Sequence, residues 1–142
     1  MNVIQFEMVP PLRILIDGRD LREHVRIVEL PFATAEGKPD LAGSYKGLSE
    51  RDKVCWPSTH FLGRPLLQWL DDGDTVLLGC TCGEWECWPL TAQVQVGEET
   101  VTWSGFRNGH RASWDLGALG PFTFDREQYE SALRRTARRG DI

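Results

Sequence analysis

Positive charge is missing from the middle of this chain. No lysine or arginine occurs between Arg64 and Arg107, a segment that carries Asp71, Asp72, Asp74, Glu84, Glu86, Glu98 and Glu99. A net charge of -5 over 142 residues argues against general nucleic-acid or membrane-surface binding, which needs extensive basic surface. It also lacks any apolar run approaching the ~18 residues of a membrane span. The amino-terminal MNVIQFEMVPP has neither the basic start nor the apolar centre of an export signal, so a cytoplasmic location is expected. Histidine is scarce, and His24, His60 and His110 stand in no recognised nucleophile arrangement. There is no G-x-S-x-G, P-loop, G-x-G-x-x-G or H-E-x-x-H, no internal repeat and no low-complexity segment. These absences lean the reading away from an enzyme.

What is present suits one α+β domain with a mostly antiparallel sheet and two or three helices. Val3–Met8 and Leu12–Ile16 read as strands broken by Pro10-Pro11, which cannot donate to a ladder. Asp20 and Glu23 make a capping-box pattern ahead of Leu21, Val25 and Val28, which predicts a helix over 20–30. Asp17-Gly18 offers a hairpin turn as the alternative. Residues 31–57 hold no period and read as one long connection, with Tyr45 and Trp56 pinning it to the body. Ser58 or Thr59 caps an expected helix bearing Leu62, Leu66, Leu67 and Leu70, although Gly63 and Pro65 weaken its first turns. Thr75–Leu78 reads as a buried strand, and Leu90–Val96 with Val101–Trp103 as a hairpin. A polar, Gly-rich stretch over 106–120 leads to a strand at 121–124. Asp125 and Gln128 then open a helix with Tyr129, Leu133 and Ala137 on one face.

The densest chemistry lies in Gly79–Leu90, GCTCGEWECWPL, which holds three of the four cysteines and two of the six tryptophans. Cys80, Cys82 and Cys87 form C-x-C-x4-C. Three thiolates suit a borderline-soft cation such as zinc, with Cys55, His60 or His110 as candidate fourth ligand, although the spacing supplies only one irregular half of a zinc signature. Thiol redox chemistry is a second reading; Glu84 and Glu86 oppose it, because carboxylates raise a thiol's pKa. The third, favoured for the thiols, is that they pack as small hydrophobes at a strand end. Read as extended chain, Glu84, Glu86 and Trp88 share one side while Trp85 and Cys87 share the other. An exposed Trp among carboxylates would mark a protein-binding surface for a basic partner.

Two basic features complete the sequence. Arg107, His110 and Arg111 form an anion-binding candidate in one loop. Arg134, Arg135, Arg138 and Arg139 line the terminal helix, where cations suit the negative end of the dipole.

The segments ILIDGRDL, ELPFA, LAGSYKGL, LLGCTCGEWECWPL, VTWSGFR and GPFTFDREQYESAL together resemble a family of small bacterial proteins marked by C-x-C-G-x-x-x-C-W-P-L and G-P-F-T-F-D. The resemblance covers most of the chain and implies a single cytosolic domain. It carries no activity and no catalytic residue. Three readings follow from the sequence: a non-enzymatic protein-binding domain using Glu84, Trp85, Glu86 and Trp88, a domain with a structural zinc at Cys80, Cys82 and Cys87, and a thiol-dependent oxidoreductase.

Overall fold

Alternation of apolar and polar residues sets the first strands. In Leu12–Ile16 (β2) Leu12, Ile14 and Ile16 are buried while Arg13 faces water, and Ile4–Met8 (β1) repeats the pattern with Ile4 and Phe6. These elements are taken from a computed structural model, which describes residues 1–137. β1 pairs antiparallel with β2, and β2 with the short Arg19–Asp20 (β3), so the Asp17-Gly18 hairpin turn and the helix after it both exist. A second antiparallel sheet runs in the order β4-β5-β6-β7-β8, formed by Tyr45–Lys46, Thr75–Cys80, Leu90–Val96, Thr100–Asn108 and Phe122–Asp125. With two α-helices, the described residues make one α+β domain.

The first helix, Leu21–Ala35 (α1), is capped by Asp20, whose side chain accepts from the Arg22 amide. It runs through Pro31, beyond the expected end at residue 30. A proline removes one helical hydrogen bond, here the one to the Ile27 carbonyl. Ile27 and Pro31 both lie on the exposed face, where water can take that carbonyl. The connection expected over 31–57 is therefore shorter, and it contains β4 and two 3-10 turns, Pro39–Leu41 and Glu50–Asp52. Tyr45 is buried within it, as expected of a pinning residue.

The helix expected after residue 58 does not form. Gly63 has a φ of 84° and Leu66 and Leu70 are exposed. The amides of Leu66 and Leu67, which a helix would direct along its axis, instead donate to Nδ1 of His60 at 3.0 and 3.3 Å. The second helix, Arg126–Arg134 (α2), begins at Asp125 as expected, the Asp125 carboxylate accepting from the Gln128 amide at 3.0 Å. The Gln128 side chain does not close a capping box. It clamps β1 by accepting from the Ile4 amide at 3.0 Å and donating to the Ile4 carbonyl at 2.6 Å. Ala137 falls beyond the helix, and Arg138 and Arg139 lie outside the described residues.

Both sheets and α2 meet in one aromatic core. Phe6 lies 5.1 Å from Phe61 and 5.6 Å from Tyr129, centroid to centroid, and Trp103 lies 5.4 Å from Phe124. Tyr129 is completely buried, yet its hydroxyl is satisfied: it donates to the Phe61 carbonyl at 2.6 Å and accepts from Trp103 Nε1 at 3.1 Å. A second buried network ties α1 to the sheets. Glu29, with no exposed surface, accepts from the Gly43 amide and the Tyr45 hydroxyl, which in turn accepts from Asn108. Burial raises the Glu29 carboxyl above its ordinary range, against the pull of those two donors.

Candidate metal centre

β5 is buried from Thr75 to Gly79, as a strand covered on both faces should be. It emerges only at Cys80, where register fixes it opposite Tyr45 of β4. The chain then reverses in a tight turn closed by the Gly83 amide donating to the Cys80 carbonyl at 3.1 Å. Gly83 adopts a φ of 99°, a left-handed conformation that only glycine takes at no cost. A 3-10 turn, Trp85–Cys87, folds back over the strand and returns Cys87 to the other two cysteines. Gly79 makes this return possible, because a Cβ there would stand 2.7 Å from both Cα and Cβ of Trp85.

The result is that the Sγ atoms of Cys80, Cys82 and Cys87 all lie within 4.8 Å of one another, a group able to hold a metal ion. Two of the sulfurs are met by backbone amides of the same turn. Cys82 N–H donates to Cys80 Sγ and Glu84 N–H to Cys82 Sγ, each at 3.4 Å. Amides aimed at sulfur favour the thiolate. Accordingly the Cys82 thiol is held below its ordinary range, first by the Glu84 amide and then by hydrogen bonds with Cys80 and Cys87. The Glu84 carboxylate acts in the direction expected from the sequence, but as the smallest of these influences. Cys87 carries the opposite perturbation, pushed up to about 11 by its hydrogen bond to Cys82 and by the neighbouring charges.

The packing expected for these thiols is not what the fold provides. Cys82 and Cys87 are exposed and Cys80 is half-buried, because the strand ends at Cys80 and the turn beyond it projects into solvent. Nor does the strand-like alternation of Glu84 to Trp88 apply, since residues 85–87 form a 3-10 turn. Trp85 and Trp88 are both half-buried and packed against the core, with Glu84 and Glu86 exposed beside them.

None of the three expected fourth ligands joins the cluster; among the described residues no further His, Cys, Asp or Glu donor lies within that distance of all three sulfurs. His60 is fully buried and uses both ring nitrogens: Nδ1 accepts from Leu66 and Leu67, so Nε2 carries the proton and donates to the Val76 carbonyl at 2.7 Å. His110 Nε2 donates to the Glu86 carbonyl at 3.0 Å, and its ring lies flat on Trp88 at 6.3 Å and edge-on to Trp69 at 4.8 Å. His110 thereby supports the turn that carries Cys87 without reaching the sulfurs. Cys55 lines a different cavity of about 440 Å³ with Trp56, Lys53 and Thr136.

The charged residues singled out by sequence are largely committed to one another. Arg107 spans Asp72 and Asp74 at 2.5 and 2.7 Å, and Arg111 binds Glu36 while its guanidinium lies 5.1 Å from the Trp88 ring centroid. Arg107, His110 and Arg111 are therefore engaged by Asp, backbone carbonyl and Glu acceptors. Of the seven acids in the segment without cations, Asp72, Asp74 and Glu84 each face an arginine. Sequence reasoning missed Arg51, which donates to the Gly83 carbonyl at 2.9 Å and to Glu84 at 3.2 Å, latching the turn from the far side. No local pattern marks it, since it lies 32 residues from its acceptor.

No protein-family model, curated protein or solved structure matches the chain.

Proposed function

We propose that the chain binds a thiophilic metal ion of the zinc class at Cys80, Cys82 and Cys87, and that the ion exchanges with solvent rather than holding the fold together. The observation that carries the proposal is the convergence of three sulfurs within 4.8 Å on a turn whose own amides already donate to two of them. Preorganised donors lower the cost of assembling anionic sulfur around a cation.

Exchange follows from where the ligands sit. A structural zinc site is closed by four ligands and contributes folding energy by joining distant segments. Here all three ligands fall between residues 80 and 87, and the aromatic core and buried Glu29 network are complete without them. Two of the three sulfurs face solvent, giving an ion direct entry. The site thus has the character of an acquisition or sensing site with an open coordination position.

Titration with cadmium chloride, a spectroscopic stand-in for zinc, tests this reading. Thiolate-to-metal absorption should saturate at one ion per chain, vanish in Cys82→Ser and persist in Cys55→Ser. Equal signals in the two variants, or no signal in the wild type, would refute it.

A further inference from the structure

The three sulfurs also discriminate among thiophilic ions, on the premise that they bind one at all. We propose that the Cys80–Cys82–Cys87 turn takes a trivalent, three-coordinate thiophilic centre, the class of arsenic(III) and antimony(III), in preference to zinc.

Donor number is the first argument. Zinc takes four ligands in a tetrahedral array, and the fold supplies three sulfurs, so a zinc ion here must draw its fourth ligand from water. The two histidines that could complete the set are turned to other work: His60 is buried with both nitrogens bonded, and His110 is held between Trp69 and Trp88 with Nε2 on the Glu86 carbonyl. A pyramidal arsenic(III) centre is complete with three sulfurs, and its fourth direction is a lone pair. That direction falls naturally on the exposed side of the turn, where Cys82 and Cys87 face water.

Charge is the second. Three thiolates on a dication leave a net negative group, placed beside the exposed Glu86 in a segment that has no lysine or arginine of its own. Among the described residues, Arg51 reaches the turn but is shared with Glu84 and the Gly83 carbonyl, and Arg111, over the Trp88 ring, is paired with Glu36. Three thiolates on a trivalent centre are neutral, so no charge accumulates against the carboxylates.

The reaction needs no partner beyond the ligand. Arsenous acid, As(OH)3, meets three Cys S–H groups; at each, one As–O bond and one S–H bond break, one As–S bond forms, and the hydroxide leaves with the thiol proton as water. Three waters are released, and neither arsenic nor sulfur changes oxidation state. Sulfurs already within 4.8 Å of one another start close to the geometry of a single shared centre.

The experiment is a competition on the reduced full chain between sodium arsenite and zinc chloride at equal concentration, read by intact mass. The expected product gains one arsenic and loses three hydrogens, and arsenite displaces zinc. Cys55→Ser should behave as wild type. Cys80→Ser, Cys82→Ser and Cys87→Ser should each retain one hydroxyl on arsenic and bind roughly tenfold or more weakly. If zinc holds the three thiols against arsenite, the trivalent preference is wrong and the metal-binding reading stands. If neither ion binds, both fall. An arsenic adduct of unchanged affinity in all three variants would place the arsenic elsewhere and overturn the assignment.

Discussion

Acidification should destabilise the chain through His60. The residue is fully buried, and its Nδ1 must stay unprotonated to accept the amides of Leu66 and Leu67. Burial is the main cause that lowers its pKa from 6.5 to about 4; the Val76 carbonyl and Asp52 pull the other way without overcoming it. Because the folded value lies below the unfolded one, the unfolded chain binds the proton more tightly. The stability His60 contributes is thus fully present above about pH 6.5 and is lost as the pH falls toward about 4. At about 1.4 kcal/mol per pH unit, the window corresponds to roughly 3 kcal/mol. The assay is urea unfolding followed by tryptophan fluorescence at intervals from about pH 7.5 to about pH 4.5, on the wild type and on His60→Leu. Glu29 titrates with the opposite sign, its raised pKa favouring the folded state at low pH, and the difference between the two proteins cancels it. At neutral pH the variant should be less stable by about 1–3 kcal/mol, having left the two amides without their acceptor. That gap should close as the pH falls. A gap that stays constant across the window would refute the assignment of a neutral, Nε2-protonated His60.

Other substitutions probe the core and the turn separately. Gly79→Ala should cost about 1–3 kcal/mol in chemical denaturation and also weaken cadmium binding, because the added Cβ displaces the Trp85 backbone that carries Cys87. Tyr129→Phe should cost roughly 2–4 kcal/mol, since it strands the buried Phe61 carbonyl and Trp103 indole, and should leave cadmium binding unchanged. Arg51→Ala removes an exposed latch from the Gly83 carbonyl, so cadmium affinity should fall severalfold in the same titration while the unfolding midpoint does not move.

Much of the architecture was legible wherever a local period met a local cap. β2 alternates cleanly and keeps its expected bounds, and Asp20 and Asp125 each cap the helix they announce. What the sequence concealed were contacts made across it. Pro31 reads as a helix end, and only its exposed position on α1 lets the helix continue. The leucines at 62, 66, 67 and 70 have helical spacing, but His60 takes the amides such a helix would use.

The candidate centre divides in the same way. Three nearby cysteines were visible as possible ligands, and their convergence was not, because it depends on the absent side chain of Gly79 and the return of the chain through Trp85–Cys87. Carboxylates at 84 and 86 suggested unreactive thiols, whereas the Glu84 main-chain amide has the larger effect on Cys82. Side-chain types can be read from letters; the direction of a backbone N–H cannot.

The central claim, that Cys80, Cys82 and Cys87 act as one ligand set, is tested most directly by cysteine-resolved alkylation with and without one equivalent of zinc chloride. The account predicts that these three thiols lose reactivity together while Cys55 alkylates at its original rate. Protection of Cys55 alongside them, or unchanged alkylation of Cys82, would contradict it.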